Sequence, residues 1–240
     1  MVLQRSIIAL ESKAIGESGV SGIIIIGASG HARVCLDILL AQGKQVIGFY
    51  DDNLHLTGSR LHGYPILGDM EALISRREKA RVEYLVGIGN NSHRRWIAAR
   101  LMDYFGFPAV NAIHPSAIIS PRVLKGHGNF IGSGAIINTD TQIGNQTIIN
   151  TGATIDHDNI ICDFAQISPG CNLAGNVRVE EGALLGIGAV VIPGITIGAQ
   201  AVVGAGAVVI HDIPPYSTAV GVPARVIQKR PRLQDRVSSR

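Results

Sequence analysis

The 240-residue sequence is poor in aromatic residues (5%) and holds a single tryptophan, which excludes a core assembled from large rings. Charged residues make up only 16% against 46% hydrophobic ones, a balance that excludes a disordered, charge-rich chain. The three cysteines, Cys35, Cys162 and Cys171, form no C-x-x-C pair, and their odd number argues against a disulfide framework. Reduced thiols and a cytoplasmic setting are the expectation. No unbroken aliphatic run exceeds four residues, as at 23–26, so no segment can span a bilayer and no membrane insertion is expected. Residues 1–21 lack the long apolar segment and cleavage site of a signal peptide and read as a loosely ordered extension. The formal net charge of +3 arises at one end. Residues 225–240 hold six basic residues and one acid, a net +5 that leaves −2 for the rest. This is a solvated tail, and nothing in it argues for a nucleic-acid partner.

What is abundant is glycine, 29 residues against a norm of about 7%. Its placement is periodic. Every sixth residue from Ile119 to Val209 is aliphatic in fifteen of sixteen instances, the exception being Lys125. Two residues before each rung the chain prefers small side chains, as at Ala135, Ala153, Cys171 and Ala189, and Gly often follows directly, as at Gly132 and Gly186. A period of six fits neither a helix nor an isolated strand. It fits a three-sided prism in which each side is a short strand, each corner a turn, and three hexads close one coil of 18 residues. Coils then stack as parallel strands about 4.8 Å apart around a ladder of inward aliphatic side chains.

Residues 22–110 read differently. Strands are expected at 22–27, 45–50 and 82–89, and helices from 32 to 40, at 67–80 and at 91–104, the last closed by Gly106. Alternating strand and helix implies a small parallel sheet of Rossmann-like type. The turn Gly27-Ala28-Ser29-Gly30-His31 places backbone N–H groups at a helix N-terminus, a cradle suited to phosphate. Asp51, about 20 positions on at the end of the second strand, is placed to bond a ribose or base. The turn is G-x-x-G-H and not G-x-G-x-x-G, so NAD is not implied. The expected domains are therefore an extension at 1–21, an α/β domain at 22–110, an all-β parallel β-helix at 111–213, and a C-terminal cap with basic tail at 214–240.

GASGH at 27–31, DD at 51–52, GIGNN at 87–91, HPSA at 114–117, NTGATIDHD at 150–158 and GVPA at 221–224 occur in that order. Together they resemble the hexapeptide-repeat family of nucleotide-linked amino-sugar N-acetyltransferases and the related sialic-acid O-acetyltransferases, over about residues 22–228. The resemblance implies a left-handed winding of the prism and a homotrimer with acetyl-CoA between neighbouring prisms. It also implies acetyl transfer to a nucleotide-linked 4-amino sugar in surface-glycan synthesis. It makes His157 the general base and Asp158 the acid that orients it. It carries Ser29, Gly30, His31, Asp51, Asp52 and Gly89 over as residues holding the acceptor's nucleotide, and Gly175, Ile187 and Ala205 as residues touching CoA. Gln166 stands where relatives have a second histidine near the acetyl group; it can donate to the thioester carbonyl but cannot change charge near neutral pH. His157 and Gly175 are 18 apart, so they should lie on adjacent coils, with Gly175 leaving room for the acyl-bearing arm of CoA.

Three rivals stand beside this reading. Acetylation of a sugar or sialic-acid hydroxyl needs the same base. A γ-type carbonic anhydrase, on the same prism, needs three imidazoles around one zinc, but position 162 is cysteine and no histidine cluster occurs, so no metal is expected. A non-catalytic nucleotide-sugar scaffold would need Asp51 and Asp52 but not His157.

Overall fold

A computed structural model describes residues 22–75 and 82–229. The expected extension at 1–21, the end of the helix expected at 67–80, and most of the basic tail lie outside these. The described chain divides into two compact units. One holds residues up to 89 together with 96–112; the other holds 90–95 and everything from 113 onward.

In the first unit, β1 (Ile23–Ile26), β2 (Val46–Tyr50), β3 (Arg60–Leu61), β4 (Tyr64–Gly68) and β5 (Glu83–Val86) form one sheet in the order β3-β4-β2-β1-β5. β1 pairs in parallel with β2 and β5, and β2 with β4. Four isoleucines in succession suit β1 because a central parallel strand is covered on both faces, and all four are buried. Helix α1 (Gly30–Ala41) buries Ala32, Cys35, Leu36 and Leu39, the i, i+3, i+4, i+7 stripe of a one-sided helix. It ends where Gly43 adopts φ 69°, with Gly43 N–H donating to Leu40 O and Lys44 N–H to Leu39 O.

The helix expected at 67–80 is corrected. Leu67 and Gly68 end β4, and α2 is only Met70–Ile74. Gly68 at φ 151° breaks the strand, and Asp69 caps the helix by accepting from Ala72 N–H at 2.7 Å. β3 and β4 form a hairpin whose two-residue turn, His62 and Gly63, has both φ positive, as a right-twisted hairpin requires. The fifteen-residue helix α3 (Asn91–Phe105) closes at Gly106, φ 76°.

The second unit is a left-handed parallel β-helix. Two-residue strands recur every six residues from Ile118–Ile119 to Val208–Val209 and stack into three faces. Face one runs through Ile136–Ile137, Thr154–Ile155 and Asn172–Leu173; face two through Gln142–Ile143, Ile160–Ile161 and Arg178–Val179; face three through Ile148–Ile149, Gln166–Ile167 and Leu184–Leu185. The register shift between coils is 18, as Ile137↔Ile155↔Leu173 shows. The inward rungs from Ile131 to Val209 are at most 5% exposed, while Lys125 is exposed. A second period accompanies the aliphatic one: φ is positive at every sixth residue from Gly128 to Gly206, and where glycine is absent the position is taken by residues such as Asp140, Asp158 and Asn176. Beyond the last coil, Ser217–Val220 continues face three in parallel, and Arg225–Lys229 folds back antiparallel on it.

Candidate active site

His157 stands on the edge between face one and face two, two residues past the inward rung Ile155. The backbone reaches its corner through Asp158, whose φ of 59° puts it in the left-handed region that aspartate tolerates. Imidazole and carboxylate then meet, with His157 Nδ1 2.7 Å from Asp158 Oδ2. An ionised carboxylate only accepts, so Nδ1 carries the proton and Nε2 keeps a free lone pair. Asp158, through this bond, and then Asp156 by charge lift His157 above the usual imidazole range. Asp156 is itself fixed: its Oδ1 accepts from Asn138 Nδ2 and from His157 N–H, both at 2.9 Å. These bonds, the Asn138 one first, hold its carboxyl below the usual range. Side chains of His157 and Asp158 are about half exposed, so the pair faces a position substrate can reach.

Gly175 lies one coil on, as the 18-residue step requires, but the space above it is already filled. A Cβ built there would sit 2.5 Å from His157 Cε1 and 2.7 Å from Nε2. The imidazole lies on the glycine, so in this structure the base's own ring fills the room expected for an arm of CoA. Its φ is not positive, so it is not a turn glycine of the periodic kind either. The other expected CoA residues fall elsewhere. Ile187 and Ala205 are successive rungs of the edge between faces three and one, with Gly206 N–H donating to Ile187 O at 2.8 Å. Ile187 is 63% exposed. Gln166 lies on face three, and its Oε1 is buried without a hydrogen-bond partner among the described residues. Within one chain, then, Gly175 joins His157 and Asp158, whereas Ile187, Ala205 and Gln166 do not.

In the first unit the expected nucleotide residues gather at the C-terminal ends of β1, β2 and β5. Ser29 is the N-cap of α1 and makes no side-chain cap bond, and a Cβ on Gly30 would meet nothing within 4 Å, so the helix N-terminus is open. Asp51 Oδ2 accepts from Ala28 N–H at 2.6 Å and its Oδ1 from Asn53 N–H at 2.9 Å. Gly89 approaches His31 Cβ at 3.9 Å. Asp52 turns away: its Oδ1 accepts from Met70 N–H at 3.0 Å, at the start of α2. Asn138 and Asp156 went unassigned in the sequence. The available signal was that Asn138 is 18 residues before Asp156 and therefore directly beside it. Among the described residues, no group of three His, Cys, Asp or Glu side chains could hold a metal ion, and no helix is long and apolar enough to cross a membrane.

Residues 22–101 match the PglD N-terminal domain family. The structure of PerB from Caulobacter crescentus in complex with CoA and GDP-perosamine is 44% identical, with a TM-score of 0.81 over 86% of this chain and 97% of that one. The chain belongs to the nucleotide-sugar N-acetyltransferases. A second member, the acetyltransferase domain of PglB from Neisseria gonorrhoeae in complex with acetyl coenzyme A, is 33% identical with a TM-score of 0.79, covering 85% and 98% of the two chains. This chain also matches the UDP-N-acetylbacillosamine N-acetyltransferase of Bacillus subtilis, 41% identical over 45% of this chain and 50% of that protein. It matches the uncharacterized protein L142 of Acanthamoeba polyphaga mimivirus at 34% identity, over 50% of this chain and 23% of that protein. The chain thus spans half or less of the curated relatives' lengths.

Proposed function

We propose that this acetyltransferase moves an acetyl group from acetyl-CoA to the amine of a nucleotide-activated 4-amino sugar, with His157 as general base. The observation that carries the reading is the 2.7 Å bond from His157 Nδ1 to Asp158, which fixes the ring and leaves Nε2 as the proton acceptor. Nε2 takes the proton that the amine loses as its nitrogen bonds to the acetyl carbon. The thioester C–S bond breaks, and the imidazolium returns the proton to the departing CoA sulfur. Asp158 stabilises the imidazolium between these two transfers, and Asp156 adds a second negative charge close by. Ser29, Gly30, His31, Asp51 and Gly89 take the nucleotide at the open end of α1, where backbone N–H groups meet phosphate.

Ile187 and Ala205 sit on a different edge from His157, so a single prism cannot bring them to the base. A second copy can. We therefore place acetyl-CoA between neighbouring prisms of a homotrimer, with His157 from one and the Ile187–Ala205 edge from the next. Use of acetyl-CoA and a sugar nucleotide, with three free cysteines, suits the cytoplasm and a role in surface-glycan synthesis. GDP-perosamine, which PerB binds, is the first acceptor to try.

The test is His157→Ala. Turnover should fall about 10²–10⁴-fold while acetyl-CoA binding, read by calorimetry, is kept. Turnover near that of the unmodified protein would assign the base to another group.

A further inference from the structure

Position 159 departs from its column in the prism's interior. The sites two residues before the inward rungs on this edge are Val123, Thr141, Val177 and Ile195, yet here the residue is asparagine with no exposed surface. Its amide ties the turn that carries the base to the turn of the next coil. Asn159 Nδ2 donates to Asp156 O at 2.6 Å, Ala174 O at 3.1 Å and His157 O at 3.3 Å, while its Oδ1 accepts from Val177 N–H at 2.9 Å. Thr141, one coil earlier in the same inward position, donates from Oγ1 to Asp156 O at 2.9 Å. Some equivalent turns are closed by a backbone bond, as with Ala153 N–H to Asn150 O at 3.1 Å and Ala201 N–H to Gly198 O at 3.0 Å, and the equivalent carbonyl Gly144 O is met by one inward side chain, Asn129. In the His157 turn the same carbonyl is met by two side chains from inside the core.

We propose that Asn159, together with Thr141, is a positioning residue for the proposed base, holding the 156–158 turn from within so that the imidazole stays on Gly175 and against Asp158. This deepens the assignment of His157 and rests on it. Burying an amide among aliphatic rungs is unfavourable unless every polar atom finds a partner. Here all the partners lie at this corner, on three successive coils. An asparagine placed for stability alone has a counterpart in the same prism. Asn129, equally buried, donates to Gly144 O at 2.9 Å and accepts from Thr147 N–H at 2.8 Å, on the edge between faces two and three. These bonds lie on a different edge from His157, which makes Asn129 a matched control.

The charged groups near the imidazole are few: Asp156 and Asp158 on its own turn, and Asp140 on the preceding coil, which pairs with Arg122 at 3.4 Å. Gly175 and Asn176 on the following coil carry no charge. A change in His157's titration therefore reports its distance from the two flanking aspartates.

The experiment compares Asn159→Ala, Thr141→Val and Asn129→Ala by histidine NMR titration, melting temperature and the pH profile of kcat. The His157 signal is assigned by its loss in His157→Ala. Asn159→Ala and Thr141→Val should move the His157 titration down toward the ordinary imidazole value of about 6.5, and lower kcat about 10–100-fold, the usual effect of a misplaced reacting group. Asn129→Ala should lower the melting temperature yet leave both readings as in the unmodified protein. If Asn159→Ala does not fold, Thr141→Val, which removes one hydroxyl, decides. The proposal is overturned if Asn159→Ala, or Thr141→Val where that variant decides, leaves the His157 titration unchanged. The titration is read without turnover, so loss of the base assignment itself would show separately, as unchanged kcat in His157→Ala.

Discussion

His157 is an ordinary imidazole made specific by what touches it: a carboxylate on Nδ1, a glycine under the ring and a turn locked by its neighbours. A base must be neutral to act, and Asp158 and Asp156 raise His157's pKa, so the acid limb of the rate profile should lie above the ordinary imidazole value. Asp158→Asn removes the largest cause; kcat/KM measured against pH should then show the limb moving down, toward about 6.5, at a lower plateau. An unmoved limb would mean that the pair does not set the titration. Gly175→Ala is a sharper probe. With the new methyl 2.5 Å from Cε1, the ring must leave, so turnover should fall while acetyl-CoA affinity measured by calorimetry stays the same. Weakened CoA binding with full turnover would restore the channel reading. The six-residue period located both residues one above the other. It could not say what fills the space between them, because periodicity fixes backbone position and not rotamer.

At the scale of elements, the α1 turn and the His157 turn differ in how visibly the sequence announces them. GASGH after four isoleucines marks the strand-to-helix turn, and Asp51 proves to be part of that turn through its bond to Ala28 N–H. Asp51→Ala should therefore do two things: raise KM for the sugar nucleotide and cost about 1–3 kcal/mol in chemical denaturation, since a partly buried N–H loses its acceptor. Asp52→Ala should cost stability at the start of α2 with little change in that KM. Equal KM effects from both would contradict the division of labour seen in the hydrogen bonds. The 60–68 hairpin shows the limit of local reading. Its only cue is His62-Gly63, a weak form of the Asn-Gly turn signal, and the apolar residues from Tyr64 to Leu73 fit helix or strand until Gly68 and Asp69 separate them.

For the whole molecule, the prism was legible because one requirement, an aliphatic side chain at each inward rung, repeats on every strand. The positive-φ column six residues apart was only half legible, since Asp, Asn, Gln and Phe share it with glycine. The spacing alone does not bring the proposed CoA residues to the base: single-chain arithmetic places Ile187 and Ala205 off the His157 edge, and only the resemblance to a trimeric family suggests that a neighbouring copy joins them. Sedimentation should show a stable trimer in which His157→Ala and an Ile187→Glu variant, mixed and reassembled, regain activity. Both variants stay inactive after mixing if each site is built from one chain. The central claim is acetyl transfer to an amine, and product mass tests it most directly. Supplied with acetyl-CoA, the protein should add one acetyl group to GDP-perosamine, or to a UDP- or dTDP-linked 4-amino sugar, and release one CoA per product, while the matching 4-hydroxy sugar is left unchanged. Acetylation of the hydroxy sugar with none of the amino sugars modified would contradict it.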